Sequence, residues 1–283
     1  MHLATLTLLA LILGNGADPQ PAANVVEVSA AAADLHPDRY QQFTRFDAQG
    51  EQELLRLTNR DRAKAGLRPL QLNSALTTAA REHAARMAAR QELSHQFADE
   101  PGLQQRLSEL HLDHEGENVA LDEDVDSAHD GLMHSSHHRE NVLRADYNVV
   151  GFGVARVGGR IYVVEDFGHS LPTYAAGQAE DIIAAAVDRA RGSGRQLQRA
   201  AAPQLHDAAC AMAGQDRLNP KGVSSQGRPR YVLTYSNMQA DSLPSNMPKI
   251  LADASLRGYA VGACYAHTRT YPNGVYFVAL ALY

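Results

Sequence analysis

Tryptophan is absent from this chain of 283 residues, and cysteine occurs only twice, at Cys210 and Cys264. Two cysteines exclude a disulfide-rich mini-protein and a multi-cysteine zinc module. No HExxH helix and no GxSxG turn occur, which removes the familiar signatures of a zinc protease and of a serine hydrolase. Basic residues are outnumbered, 26 Lys and Arg against 32 Asp and Glu, for a formal charge of -6. A general nucleic-acid or anionic-membrane binder needs a basic surface, so both classes are disfavoured. No apolar run is long enough to form a membrane anchor. The longest, Leu3 to Leu13, is about 11 residues, roughly 16 Å as a helix, against the roughly 30 Å of a bilayer core.

What is present is ordinary globular material: 45% hydrophobic and 20% charged residues. The length suits one large domain or two of usual size. The apolar start, followed by Gly14, Gly16 and Ala17, reads as a cleaved export signal over residues 1–17, although Met1-His2 lacks the usual positive charge. No cysteine lies near that point to carry a lipid. The expected location is therefore secreted, periplasmic or extracellular. Residues 18–46 have no sustained period and read as a linker. Beyond them, Leu54, Leu55, Leu57 and Ala63 form a helical stripe that stops at Gly66. Asn73 or Ser74 can cap a second helix through Leu76, Ala80, Ala84 and Met87. Shorter helices are expected around Ala128 to Met133 and Arg139 to Leu143. Val149 to Val157 and Ile161 to Phe167, joined by Gly158-Gly159, form a hairpin.

The same order then recurs. Glu180 to Gly192 parallels Glu53 to Gly66, and Leu205 to Ala213 parallels the second helix. Pro248 to Asp253 parallels Arg139 to Asp146. Val261-Gly262-Ala263-Cys264 echoes Val150-Gly151-Phe152-Gly153, and Pro272-Asn273-Gly274 turns into a last strand. A duplication with domains over 47–170 and 177–283 is the expectation. Cys210 and Cys264 fall on a helix and the strand beneath it, either bridged or as two buried thiols.

Seven histidines lie between His95 and His138, whereas the second copy keeps only His206 and His267. Imidazole is the commonest metal ligand and a neutral-pH proton carrier, so the chemistry is expected in the first copy. The acidic run Asp122 to Asp126 lacks the glycine and terminal glutamate of a calcium loop and reads as a solvated face.

Ser94-His95, Gly116-Glu117-Asn118-Val119-Ala120, Ser135 to Leu143, Val150 to Ala155 and Tyr162 to Gly168 occur in one order over about residues 49–168. This resembles the CAP superfamily of cysteine-rich secretory, antigen 5 and pathogenesis-related proteins, especially its bacterial SCP-domain branch. The resemblance implies an α/β fold of α+β type, a three-layer α–β–α sandwich, here with a degenerate second copy. It also implies a cleft of two histidines and two glutamates able to bind a divalent cation. By motif, His95, Glu117 and His138 take three of these places. Ser135 stands where the second glutamate is expected, Leu132 takes a tryptophan position, and His137 is a further candidate ligand. The ion expected is zinc before calcium or magnesium. Two readings follow: a binding module for a lipid, peptide or cell-wall ligand, or a metal-assisted, peptidase-like hydrolase with Glu117 as the catalytic candidate. A structural or adhesive module is a third.

Overall fold

The computed structural model describes residues 45–223 and 228–283. The expected export signal and nearly all of the expected linker lie outside them. Arg45 and Phe46, at the end of that linker, already form strand β1, which pairs antiparallel with β4.

Helix α1 (Ala48–Lys64) begins where Asp47 accepts a hydrogen bond from the Gly50 amide at 2.9 Å. It ends at Lys64 with Ala65 as its C-cap, and the chain turns away at Gly66, whose φ of +73° suits glycine. Asn59 anchors the following connector by exchanging two hydrogen bonds with the backbone of Leu70. Arg62 is fully buried, and its guanidinium donates to the carbonyls of Arg68, Val142, Arg144 and Tyr147. That satisfies a charge which would otherwise be costly in the core.

Strand β2 (Gln71–Leu72) leads to α2 (Ser74–Arg90), capped by Asn73. Helix α3 (Leu103–Arg106), strand β3 (Leu112–Asp122), helices α4 (Val125–His134) and α5 (Ser136–Val142), and strands β4 (Val149–Val157) and β5 (Arg160–Ser170) follow. Asp124, within the acidic run, caps α4 through the Ser127 amide. The sheet order is β1-β4-β5-β3, with β2 parallel to β4. Helix α2 lies almost on the strand backbone: a Cβ at Gly151 would come 2.1 Å from the Leu76 carbonyl carbon, and one at Gly153 2.3 Å from the Ala80 oxygen. Ala80, Ala84, Met87, Val119 and Val164 fill that face, while Leu54, Leu57, Val142, Phe152 and Val163 fill the other, beneath α1, α4 and α5.

The remainder builds a second sheet. Helix α6 (Ala176–Arg191), strand β6 (Gln198–Arg199), helix α7 (Pro203–Gly214), strand β7 (Tyr231–Asn237), helix α8 (Met247–Leu251), and strands β8 (Gly258–Ala266) and β9 (Val275–Leu282) give the order β6-β8-β9-β7, again with β6 parallel to β8. Helix α7 seats on Gly262, where a Cβ would lie 2.1 Å from the Leu205 carbonyl carbon. Ile183, Val187, Met247 and Leu251 of α6 and α8 cover the opposite face. Cys210 on α7 and Cys264 on β8 are bridged, with Cα atoms 5.0 Å apart. The two sheets meet through Tyr174, whose amide donates to the Tyr276 hydroxyl, and through Asn273, which donates to the Leu112 carbonyl.

Candidate functional site

Strand β3 forms the edge of its sheet, and side chains alternate across it. Glu117 and its cross-strand neighbour Asp166 face α2, whereas Asn118 and its neighbour Glu165 face α5. All four are buried.

The expected His95–Glu117 pair forms, with His95 Nδ1 2.9 Å from Glu117 Oε1. Arg106, from α3, completes it: its Nη2 donates to Glu117 Oε2 at 2.5 Å and reaches the His95 carbonyl at 3.4 Å. Burial opposes ionisation of Glu117, but the hydrogen bond from His95 and the charge of Arg106 outweigh it and hold its pKa below the usual carboxylate value. The same hydrogen bond raises the pKa of His95 against its partial desolvation. The bond thus favours the charged form of each partner, imidazolium and carboxylate.

Two buried acids flank Glu117 and titrate the other way. Asp166 is desolvated and faces the charge of Glu117, so its carboxyl is held neutral, well above the usual range. Glu165 is pushed to about 7 by burial, partly relieved by Asn118, whose amide donates to it at 3.0 Å. The Asn118 amide also donates to the His138 carbonyl at 3.1 Å, and Asn141 donates to the Asn118 side-chain oxygen at 2.9 Å, tying α5 to the strand edge.

His138 is half-buried on α5. Its desolvation, followed by the charges of His95 and His137, lowers its pKa. Burial and the charge of His95 thus favour its neutral form. Ser135 sits half-buried at the start of α5, its amide bonded to the Gly131 and Leu132 carbonyls, and His137 is exposed. Leu132, at the tryptophan position, packs into the core.

Several functional neighbours carried no sequence signal. His83, fully buried on α2, bonds through Nδ1 to both oxygens of Glu100, at 2.8 and 3.0 Å, and through Nε2 to the Ser94 carbonyl at 2.8 Å. It fixes the loop that carries His95. Other histidines of the rich stretch disperse. His129 pairs with Asp61 at 2.9 Å and ties α4 to α1, while His111 packs against Tyr265 with centroids 5.0 Å apart.

Among the described residues, the His, Cys, Asp and Glu group whose ligand atoms all lie within 4.8 Å of one another is Asp113, His114 and His169, which can hold a metal ion. The donors of His95, Glu117 and His138 are not gathered to that degree. A groove of about 710 Å³ is lined by Arg68, Gln71, Asp146, Asn148 and His169 rather than by His95.

Residues 55–167 match the model of the cysteine-rich secretory protein family, CAP. An uncharacterized membrane protein of Bacillus subtilis, YlbC, is 32% identical over 119 residues, which cover 41% of this chain and 34% of that protein. The chain thus spans about a third of that curated relative. An extracellular SCP-domain protein of Bacillus anthracis aligns at 26% identity and a TM-score of 0.40, over 48% of this chain and 44% of its own. A cysteine-rich secretory protein of Staphylococcus aureus aligns at 26% and 0.36, over 43% and 39%. No helix among the described residues is long and apolar enough to cross a membrane.

Proposed function

Since residues 55–167 belong to the CAP superfamily, we propose that this chain is an exported ligand-binding module whose recognition site is built on His95, Glu117 and His138. One observation carries the reading: Glu117 is an ionised carboxylate clamped between His95 and Arg106. A general base that activates water at neutral pH works best with a pKa near 7 and a free lone pair. Glu117 is poorly placed for this role, because His95 and Arg106 lower its pKa and each of its oxygens already accepts one of their hydrogen bonds. Such a clamp presents a fixed pattern of donors, His95 and neutral His138, to a polar group of a lipid, peptide or cell-wall ligand.

The donor types also suit a divalent cation, zinc before calcium or magnesium, held by His95, His138 and Glu117 with His137 at the rim. Such an ion has to displace the Arg106 guanidinium from Glu117 and the proton from His95. Cation binding at this site is therefore expected to be weak and to strengthen as pH rises.

In the same proposal residues 1–17 are a removed signal, 18–46 a linker, 47–170 the CAP domain and 177–283 a degenerate copy. The equal strand orders and the matching seats of α2 on Gly151 and α7 on Gly262 support the duplication. The Cys210–Cys264 bridge supports an oxidising, extracytoplasmic location.

The test is retention of the mature protein by insoluble peptidoglycan, by phospholipid vesicles and by an immobilised peptide library, with protease assays in parallel. Saturable retention by one of these, weakened at least tenfold in Glu117→Gln and His138→Ala without turnover, is expected. Metal-dependent peptide cleavage lost in Glu117→Gln would replace the reading with hydrolysis. Neither retention nor cleavage would leave a structural or adhesive module.

A further inference from the structure

We propose that Asp113, His114 and His169 form a transition-metal site of zinc type, separate from the His95–Glu117 site and placed where the two sheets meet. The backbone builds it. Pairing between β3 and β5 runs from Leu112 with Ser170 directly to His114 with His169, which leaves Asp113 as the extra residue of a β-bulge. In a regular strand, residues 113 and 114 would point to opposite faces. A bulge re-aims one of them. Here it brings Asp113 Oδ1 to 3.1 Å from His114 Nδ1 and 2.7 Å from His169 Nδ1.

Both flanks of the bulge are pinned. Asn273, from the second sheet's turn, donates to the Leu112 carbonyl at 3.3 Å. On the β5 side, Asn148 exchanges hydrogen bonds with the backbone of Ser170 at 2.9 and 2.7 Å. The Leu171 amide closes the end by donating to the His111 carbonyl at 2.8 Å. Three donors bound tetrahedrally to one zinc ion stand about 3.4 Å apart. The two carboxylate–imidazole spacings, 3.1 and 2.7 Å, are shorter than this and the three ligand atoms all lie within 4.8 Å of one another, so side-chain rotation has to open the carboxylate from the imidazoles to admit the ion.

The donor set selects the ion. Two imidazoles and one carboxylate suit zinc and its neighbours, whereas calcium and magnesium need about six oxygens. Access is open, since the side chains of Asp113, His169 and His114 are 19%, 30% and 48% exposed. A fourth position is thus free for water. Unlike Glu117, the carboxylate of Asp113 is bonded by imidazoles and not by a guanidinium, so an ion entering here displaces no buried cation. Asp146, whose carboxylate is held ionised chiefly by its 2.8 Å pair with Arg144, lies near enough to feel the charge of His114 as well. Asp113 also lines a groove of about 480 Å³ shared with Asn237, Thr270 and Asn273 of the second sheet, and His169 lines the 710 Å³ groove. The ion would sit in the wall between them.

The experiment is calorimetric titration of the chelator-stripped full chain with zinc chloride, followed by cobalt(II) absorption as a reporter of coordination. Wild type should bind one strong equivalent. That equivalent should weaken at least tenfold in Asp113→Asn, His114→Ala and His169→Ala, and persist in His95→Ala and His138→Ala. His114 is nearly half exposed, so its variant keeps the fold even where His169→Ala does not; far-UV circular dichroism checks this. Strong binding lost only in the His95 and His138 variants would overturn the proposal and place the ion at the CAP site instead. Binding indifferent to Asp113, His114 and His169, or no binding at all, would overturn it as well.

Discussion

The two halves of the molecule share a strand order and a way of seating a helix on a glycine, yet they fill the centre of the sheet oppositely. Gly151 pairs with Asp166, and its counterpart Gly262 pairs with Ala279. Carried across the registers, Glu117, Asn118, Glu165 and Asp166 correspond to Thr234, Tyr235, Val278 and Ala279. Along the helices, His83 corresponds to Met212. Gly153, which lets α2 approach at Ala80, corresponds to Cys264, which is bonded to α7. The second sheet thus closes the same strand order without acids at these positions. Burying ionisable groups costs stability unless they are paired or protonated, and the first half meets that cost by pairing Glu117 with Arg106 and by raising the pKa values of Asp166 and Glu165.

Arg106 is where that comparison is easiest to break. Arg106→Met strips the guanidinium from buried Glu117 and should cost about 3 to 5 kcal/mol in urea unfolding at pH 7. Adding Glu117→Gln should return part of the loss. A cost below about 1 kcal/mol would mean the clamp is incidental.

The disulfide distinguishes the halves in the other direction. Cys210 and Cys264 are separated by 54 residues, and closing a loop of that size stabilises by about 4 kcal/mol on the chain-entropy account. Reduction should therefore lower amide protection in β8 and β9 and leave β3 to β5 protected, as read by hydrogen exchange. Equal loss in both halves would show that they unfold as one.

Glu165 sharpens the contrast through pH. Its folded pKa of about 7 lies above the ordinary 4.5, so the folded state holds the extra proton and stability falls as pH rises between those values. Glu165→Gln removes that dependence. It should be more stable than wild type by about 3 kcal/mol at pH 8 and equal to it near pH 4.5. A constant difference across this range would contradict the assignment. The smallest effect belongs to His95→Ala. Its side chain is 59% exposed and Glu117 keeps Arg106, so the stability loss should stay under about 1 kcal/mol.

Much of this architecture was legible from local pattern. The β4–β5 hairpin, the cap at Asn73, the turn at Gly66, and the His95–Glu117 pair all rest on short-range signals or on a motif in fixed order. The parts that escaped are those made by folding. Glu100, from a loop, and Arg106, from the single-turn helix α3, lie in a stretch without apolar period and acquire meaning only when residues 91–106 fold back over α2. Asp166 and Glu165 did leave a trace, as two adjacent acids inside the apolar run Ile161 to Phe167. Asp113 left none, because a bulge depends on the register of two strands. Ser135 and His137 follow the motif in sequence and lie at the start of α5, Ser135 half-buried as its N-cap and His137 exposed.

The imidazolium–carboxylate pair of the first half is the centre of the account, and histidine titration by NMR in the full chain reads it directly. His95 should titrate above the ordinary imidazole value of 6.5 and His138 below it. Glu117→Gln should bring His95 down while leaving the fold intact. Coincident titration of both at the ordinary value, unmoved by that substitution, would contradict the clamp and with it the recognition site.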